Sequence, residues 1–178
     1  MRRTPAEQPL WLGTLPYGLI GAAVLLRLMP HPWHFQPMDA LALFGGAVLP
    51  GAWAVAVPLG AVALSDAVLG FYGAGMLPVY AAYLAIIILG RVMLRRRSPL
   101  GIAGTAAAAA TLFYLITNLG EWFGPLYPHT LAGLAASYTA GVPFFPNTLM
   151  SDVAYSLAIF GVYDAARRAG RIVPQRTT

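Results

Sequence analysis

From Met38 to Gly70 the chain runs for 33 residues in which only Asp39 and Asp66 carry an ionisable side chain. As one helix this stretch would be roughly 50 Å long. That is long for one crossing of a hydrocarbon core about 30 Å thick and short for two. The sequence "LPGAW" at 49–53 sets a Pro-Gly break inside it, and proline removes a backbone donor from a helix. The stretch therefore reads as two short or tilted helices, 38–49 and 52–69, joined by a tight turn. Comparable apolar runs cover 10–29, 78–94, 99–117 and 147–166. A weaker one at 131–142 reads as a short interfacial or re-entrant helix. The expected fold is an all-α membrane protein, a single integral membrane domain over 1–178 with six transmembrane helices.

Charge supports lipid as the main solvent. Only 10% of the residues are charged and 58% are hydrophobic, whereas a soluble domain carries about 25% charged residues. A formal charge of +5 could point to nucleic acid, but all 11 basic residues are arginines and they cluster at the ends of apolar runs. With six spans and a cytoplasmic N-terminus, every arginine except Arg27 falls on the inner side, as the positive-inside rule favours. Both termini are then cytoplasmic, in a bacterial inner membrane, and nucleic acid is not an expected partner. The start "MRRTPAEQPLWLG" also has the charge order of a signal peptide, but no small-x-small cleavage site precedes a polar mature region. It is read as the lead into the first span. With no cysteine, disulfides, thiolate metal sites and a cysteine nucleophile are excluded.

Ionisable groups inside a bilayer cost about 3 kcal/mol each on insertion scales, so they face a protein interior or a cavity. Arg27, Asp39, Asp66 and Asp152 all fall near the outer ends of the expected helices. One cation among three carboxylates implies a structural ion pair, with Asp66 or Asp152 as the expected partner of Arg27. The stretch "RLMPHPWHFQPMDA" then becomes a helix end, a proline-stiffened outer loop carrying His31, Trp33, His34 and Phe35, and a helix start at Asp39. A second outer connection carries Tyr72 and Met76 before Tyr80. A third carries Asn118, Glu121 and Trp122, and Asn147 reads as the N-cap of the last helix. Aromatics with a few polar groups are the usual lining of a small-molecule pocket. The expected substrate-binding set is His31, Trp33, His34, Phe35, Asp66, Tyr72, Met76, Tyr80, Asn118, Glu121, Trp122 and Asp152. Gly18 and Ala22 form a small-xxx-small pair on one face of the first helix, suited to close packing in the bundle or to docking a partner's helix.

No His-Glu-x-x-His pattern, P-loop or Gly-rich nucleotide fingerprint is present. Ser65-Asp66 and Ser151-Asp152 are sequence neighbours, which do not face each other on a helix. His31 and His34 lack a third clear ligand. No catalytic residue, metal or cofactor is expected.

The stretches "RLMPHPWHFQPMDALALFGGA", "LSDAVLGFY" with "PVY", "LITNLGEWF" and "PFFPNTLMSDVAYSLAIFG" resemble a family of small bacterial membrane proteins without assigned function, over roughly residues 20–165. More distantly the chain looks like the substrate-binding S components of energy-coupling-factor vitamin transporters, closest to the solitary cobalamin type. That resemblance implies an S-component-like bundle with a vitamin pocket opening outward beneath the outer loops. Its rim would include Tyr72, Met76, Tyr80, Asn118 and Trp122, and Gly18/Ala22 would correspond to the surface that meets a transmembrane partner. Cobalamin-type members can present a cysteine to cobalt, and this chain has none. His31, His34 or Met76 could take that place, and a different vitamin-like ligand is equally compatible. The expected function is capture and uptake of a small molecule from the outer side. The alternatives are a membrane-embedded helper protein that binds another membrane protein and, third, an intramembrane enzyme using Asp66 and Asp152.

Overall fold

The computed structural model describes residues 10–172 apart from His31, Trp33 and Arg96. Seven α-helices and no strand occur among the described residues: α1 (Leu10–Leu28), α2 (Met38–Val48), α3 (Trp53–Leu69), α4 (Met76–Met93), α5 (Pro99–Phe123), α6 (Leu131–Gly141) and α7 (Phe145–Ile172). The fold is all-α.

Local chemistry sets the boundaries. α1 stops just before Pro30, since the residue ahead of a proline is driven out of helical backbone. α2 and α3 are separated by the turn around Gly51, whose φ of 51° falls in the left-handed region that glycine adopts without penalty. Arg91 of α4 donates to the Leu49 carbonyl in this turn at 3.0 Å. α5 opens with Ser98 accepting from the Gly101 amide at 3.0 Å and with Pro99 in its first turn. α6 opens the same way, with Thr130 accepting from the Gly133 amide at 3.1 Å.

Two helices run past their sequence-derived ends. α5 continues from 117 to Phe123, because Asn118 and Glu121, three residues apart, share a face turned into a hollow rather than lipid. α7 begins at Phe145 and continues to Ile172. Asn147 therefore lies inside its first turn and is not the N-cap. Beyond residue 166 the helix carries Arg167 and Arg168, polar residues that a helix tolerates at a wet end.

α2 is the hub. It packs against α1, α3, α4, α5 and α7, and every residue from Met38 to Gly46 is buried. Its contact with α4 depends on two glycines. A Cβ on Gly46 would collide with the Ile87 backbone, and one on Gly90 with the Leu43 backbone. Small residues at helix crossings permit this backbone approach. Phe44 then packs edge-on against Phe160 and Tyr163 of α7, at 5.2 and 5.3 Å between centroids.

The polarity is partly inverted relative to a water-soluble bundle. Arg27, Asp39, Asp66 and Asp152 are buried, while Leu64, Leu77, Ile88 and Leu100 are more than half exposed. α4 and α5 are long and apolar enough to cross a membrane, and α1, α2 and α3 contribute shorter apolar helices. These features suggest a membrane protein. At one end of the bundle gather the 29–37 and 70–75 segments, the 124–130 connection and α6. At the other, Arg97 makes a two-pronged bond to Asp164 of α7 at 2.9 and 3.2 Å and lies over the Tyr163 ring.

Candidate functional site

The last turn of α1 carries Arg27 into the bundle. Its Nη2 donates to Asp66 Oδ1 at 2.7 Å and its Nη1 to Ser65 Oγ. Asp66 Oδ2 accepts from the Tyr80 hydroxyl at 2.8 Å. One carboxylate thus joins α1, α3 and α4. Asp66 is 1% exposed and Arg27 9%, so each charge is neutralised by the other rather than by water. Asp39 and Asp152, expected in the same ion pair, are not part of it. They hydrogen-bond to each other between α2 and α7. Such a bond needs one carboxyl to act as a donor, so the pair holds a proton. The Oδ2 atom of each has no partner among the described residues. Beside this pair Ser151 Oγ donates to the Gln36 carbonyl at 2.7 Å, tying the loop ahead of α2 to α7.

Above these two pairs lies a cavity of about 460 Å³, within the range of small-molecule sites. Aromatic rings form much of its wall: Tyr83 from α4, Phe113 and Tyr114 from α5, Phe145 from α7. Tyr72, Tyr127 and Phe144 close it from the connecting segments. Arg27, Gln36, Asn118 and Glu121 supply the polar groups. α6 forms one side and is locked to α5 by reciprocal bonds. Tyr114 donates to the Tyr138 carbonyl at 2.6 Å, Tyr138 to the Leu115 carbonyl at 2.8 Å, and Ser137 to the Asn118 carbonyl at 2.7 Å. Gly141 sits against Asn118 and Tyr114 where a Cβ would clash. A second hollow of about 10 Å³ shares His34, Gln36, Phe113 and Thr148 with the large cavity and reaches Asp39 and Asp152. That is about the space of one water molecule.

His34 lies at the junction of the two hollows. Its backbone φ of 58° is unusual for a residue with a Cβ, and its ring rests on Phe144 at 4.7 Å. Partial burial lowers its pKa from the ordinary 6.5, which favours the neutral imidazole. Tyr72 has its hydroxyl pKa raised, first by burial and then by the Asp66 carboxylate.

Of the expected site residues, His34, Tyr72, Asn118 and Glu121 line the cavity, and Asp152 lines the hollow beneath it. Asp66 stands one bond behind Arg27. Tyr80 turns to Asp66, Phe35 packs on Tyr155, and Trp122 donates to the Pro128 carbonyl, so these three lie outside the wall. Met76, the first residue of α4, is also outside it. His31 and Trp33 fall outside the described residues. Gly18 and Ala22 lie on the open surface of α1, and a Cβ on Gly18 would meet nothing within 4 Å. Sequence reasoning missed Tyr83, Phe113 and Tyr114, which sit in apolar stretches of α4 and α5, and Phe145, which opens α7. Gln36 lay within the singled-out loop and could have been found by its polarity. Among the described residues no group of three His, Asp or Glu side chains could hold a metal ion.

A family model described as a family of unknown function (DUF6580) matches residues 11–174. The chain belongs to this family. No curated protein and no solved structure matches it.

Proposed function

We propose that the chain is a multi-pass inner-membrane protein that captures a small molecule from the outer side, in the manner of a transporter S component. The observation that carries this reading is the aromatic cavity of about 460 Å³ at one end of the bundle. The described arginines other than Arg27 belong to the opposite end or the helix turns leading to it. The positive-inside rule then turns the cavity outward. α1, α2, α3, α4, α5 and α7 cross the bilayer and α6 lies at its outer interface.

The length of α2 supports this assignment. Its 11 residues span only about 16 Å, half of a hydrocarbon core. The irregular segment before it therefore dips to membrane depth, which is tolerated where backbone is buried in protein or lines a cavity. Asp152, seven residues into α7, lies about 10 Å below the start of that helix. The cavity floor is thus sunk among the helices, where lipid cannot reach. No nucleotide-binding motif is present, so energy for inward release comes from a partner or an ion gradient. Uptake of a vitamin-like compound is the reading the S-component resemblance favours.

The test is a thermal-stability screen of detergent-purified protein against a vitamin panel. A cognate compound raises the melting temperature, and Tyr83→Ala or Tyr114→Ala removes the gain. A flat response across the panel counts against capture. It moves the reading to a helper protein docking through α1, the alternative favoured by the open face at Gly18.

A further inference from the structure

We infer that the ligand of this cavity is an organic cation, an amine or quaternary ammonium group carried on a compact apolar or aromatic body. The inference deepens the capture reading and rests on it. Of the chain's six acidic residues, Glu121 lines the cavity, Asp39 and Asp152 line the hollow beneath it, and Asp66 stands behind Arg27, the one arginine in the wall. That arginine is already neutralised, because Arg27 and Asp66 are in contact at 2.7 Å with Tyr80 completing the carboxylate. One unpaired carboxylate and one pair of free acceptor oxygens remain. Glu121 faces the cavity and makes no ion pair among the described residues. The Asp39–Asp152 pair leaves two unpartnered carboxyl oxygens beneath the floor, acceptors for an N–H donor.

The walls reinforce this charge. Aromatic faces carry the negative lobe of the ring quadrupole and attract a cation within about 6 Å of the ring centre, most strongly when water is excluded. Tyr83, Phe113, Tyr114 and Phe145 present such rings from three helices. His34 adds no positive charge while its imidazole is neutral. A low-dielectric cleft lined by one sign of charge also concentrates ligands of the opposite sign. An anionic ligand would meet the Glu121 carboxylate across the cavity, and the one cation there, Arg27, already carries Asp66 as its counter-charge and offers only its unpartnered Nε–H.

The test is equilibrium binding to the detergent-purified full chain of two cations, choline and benzyltrimethylammonium. Each is compared with its uncharged tert-butyl isostere and with a carboxylate of similar size. The expected result is saturable binding of at least one cation, about tenfold or more tighter than its isostere, with about a tenfold loss in Glu121→Gln. A melting temperature of Glu121→Gln equal to that of the parent separates lost binding from lost fold. Equal or tighter binding of an isostere or carboxylate overturns the inference. If the cations fail while a neutral or anionic vitamin binds and Thr148→Trp abolishes that binding, capture stands and the cation inference falls. If no compound of any charge binds, both fall.

Discussion

Asp66 accepts from Arg27 at 2.7 Å through one oxygen and from Tyr80 at 2.8 Å through the other. A carboxylate 1% exposed with both oxygens satisfied is a joint between three helices. Removing one charge of a buried pair strands the other and costs about 3–5 kcal/mol. Asp66→Asn or Arg27→Gln should lower stability in detergent by that order, whereas Tyr80→Phe should cost only about 1 kcal/mol. Replacing both charges, Arg27→Met with Asp66→Leu, should recover much of the loss. Thermal or denaturant unfolding of the four variants checks the ranking.

The second acidic joint behaves differently. Asp39 and Asp152 are held by a hydrogen bond rather than by opposite charge. A carboxamide supplies the donor that this bond needs. Asp152→Asn should therefore stay within about 1 kcal/mol of the parent, while Asp152→Ala, which leaves Asp39 alone in a buried site, should lose about 2–3 kcal/mol. Equal effects of the two substitutions in the same unfolding assay would contradict a hydrogen-bonded pair.

The glycines of the bundle divide into two kinds. Gly46 and Gly90 hold α2 and α4 backbone to backbone, so Gly46→Val or Gly90→Val should prevent assembly or cost more than about 3 kcal/mol. Gly18 faces open space, and Gly18→Leu should change stability by less than about 0.5 kcal/mol. Size-exclusion profiles and melting temperatures distinguish the two classes. Loss of a co-purifying membrane partner in Gly18→Leu, with melting unchanged, would show that this face docks another helix.

Acid should weaken ligand capture through His34. Its pKa in the folded protein lies below the ordinary 6.5. The stabilisation from the neutral ring is present above about pH 6.5 and is lost as pH falls below it, because the unfolded chain then binds the extra proton. The groups around the ring are Phe144 on one face, with Asp39, Asp152, Arg27 and Glu121 lining the adjoining hollows. A protonated His34 would also place positive charge where a cation is to bind. Binding affinity measured from pH 8 to pH 5.5 should fall on the acid side, and His34→Phe should flatten that part of the profile.

Much of the helix pattern was legible because apolar runs and their Pro, Gly and Arg stops are local signals. The break at Pro50-Gly51 and the separate helix at Leu131–Gly141 followed from that pattern. So did the need of Arg27 for a carboxylate, since lone charges in apolar sequence must find each other, but the choice of Asp66 over Asp152 came only from the packing of α1 on α3. The cavity wall was legible where polarity or an outer connection marked it, at His34, Tyr72, Asn118 and Glu121. Tyr83, Phe113 and Tyr114 were hidden because a helix apolar all round does not announce which face meets a hollow. The partnership of Asp39 with Asp152 was also hidden. It depends on α2 and α7 touching, a contact between residues more than a hundred positions apart.

The topology has its own test. Reporters fused after Arg97 and within the 124–130 connection should read cytoplasmic and periplasmic respectively, and the reverse pattern would remove the outward-facing cavity.

Native mass spectrometry of the protein released from the membranes in which it is made tests capture most directly. The account predicts a small molecule retained at one copy per chain and absent from Thr148→Trp, whose indole would intrude from the cavity wall. A bare chain in both samples, together with no stabilisation by any compound in the vitamin and cation panels, would contradict it.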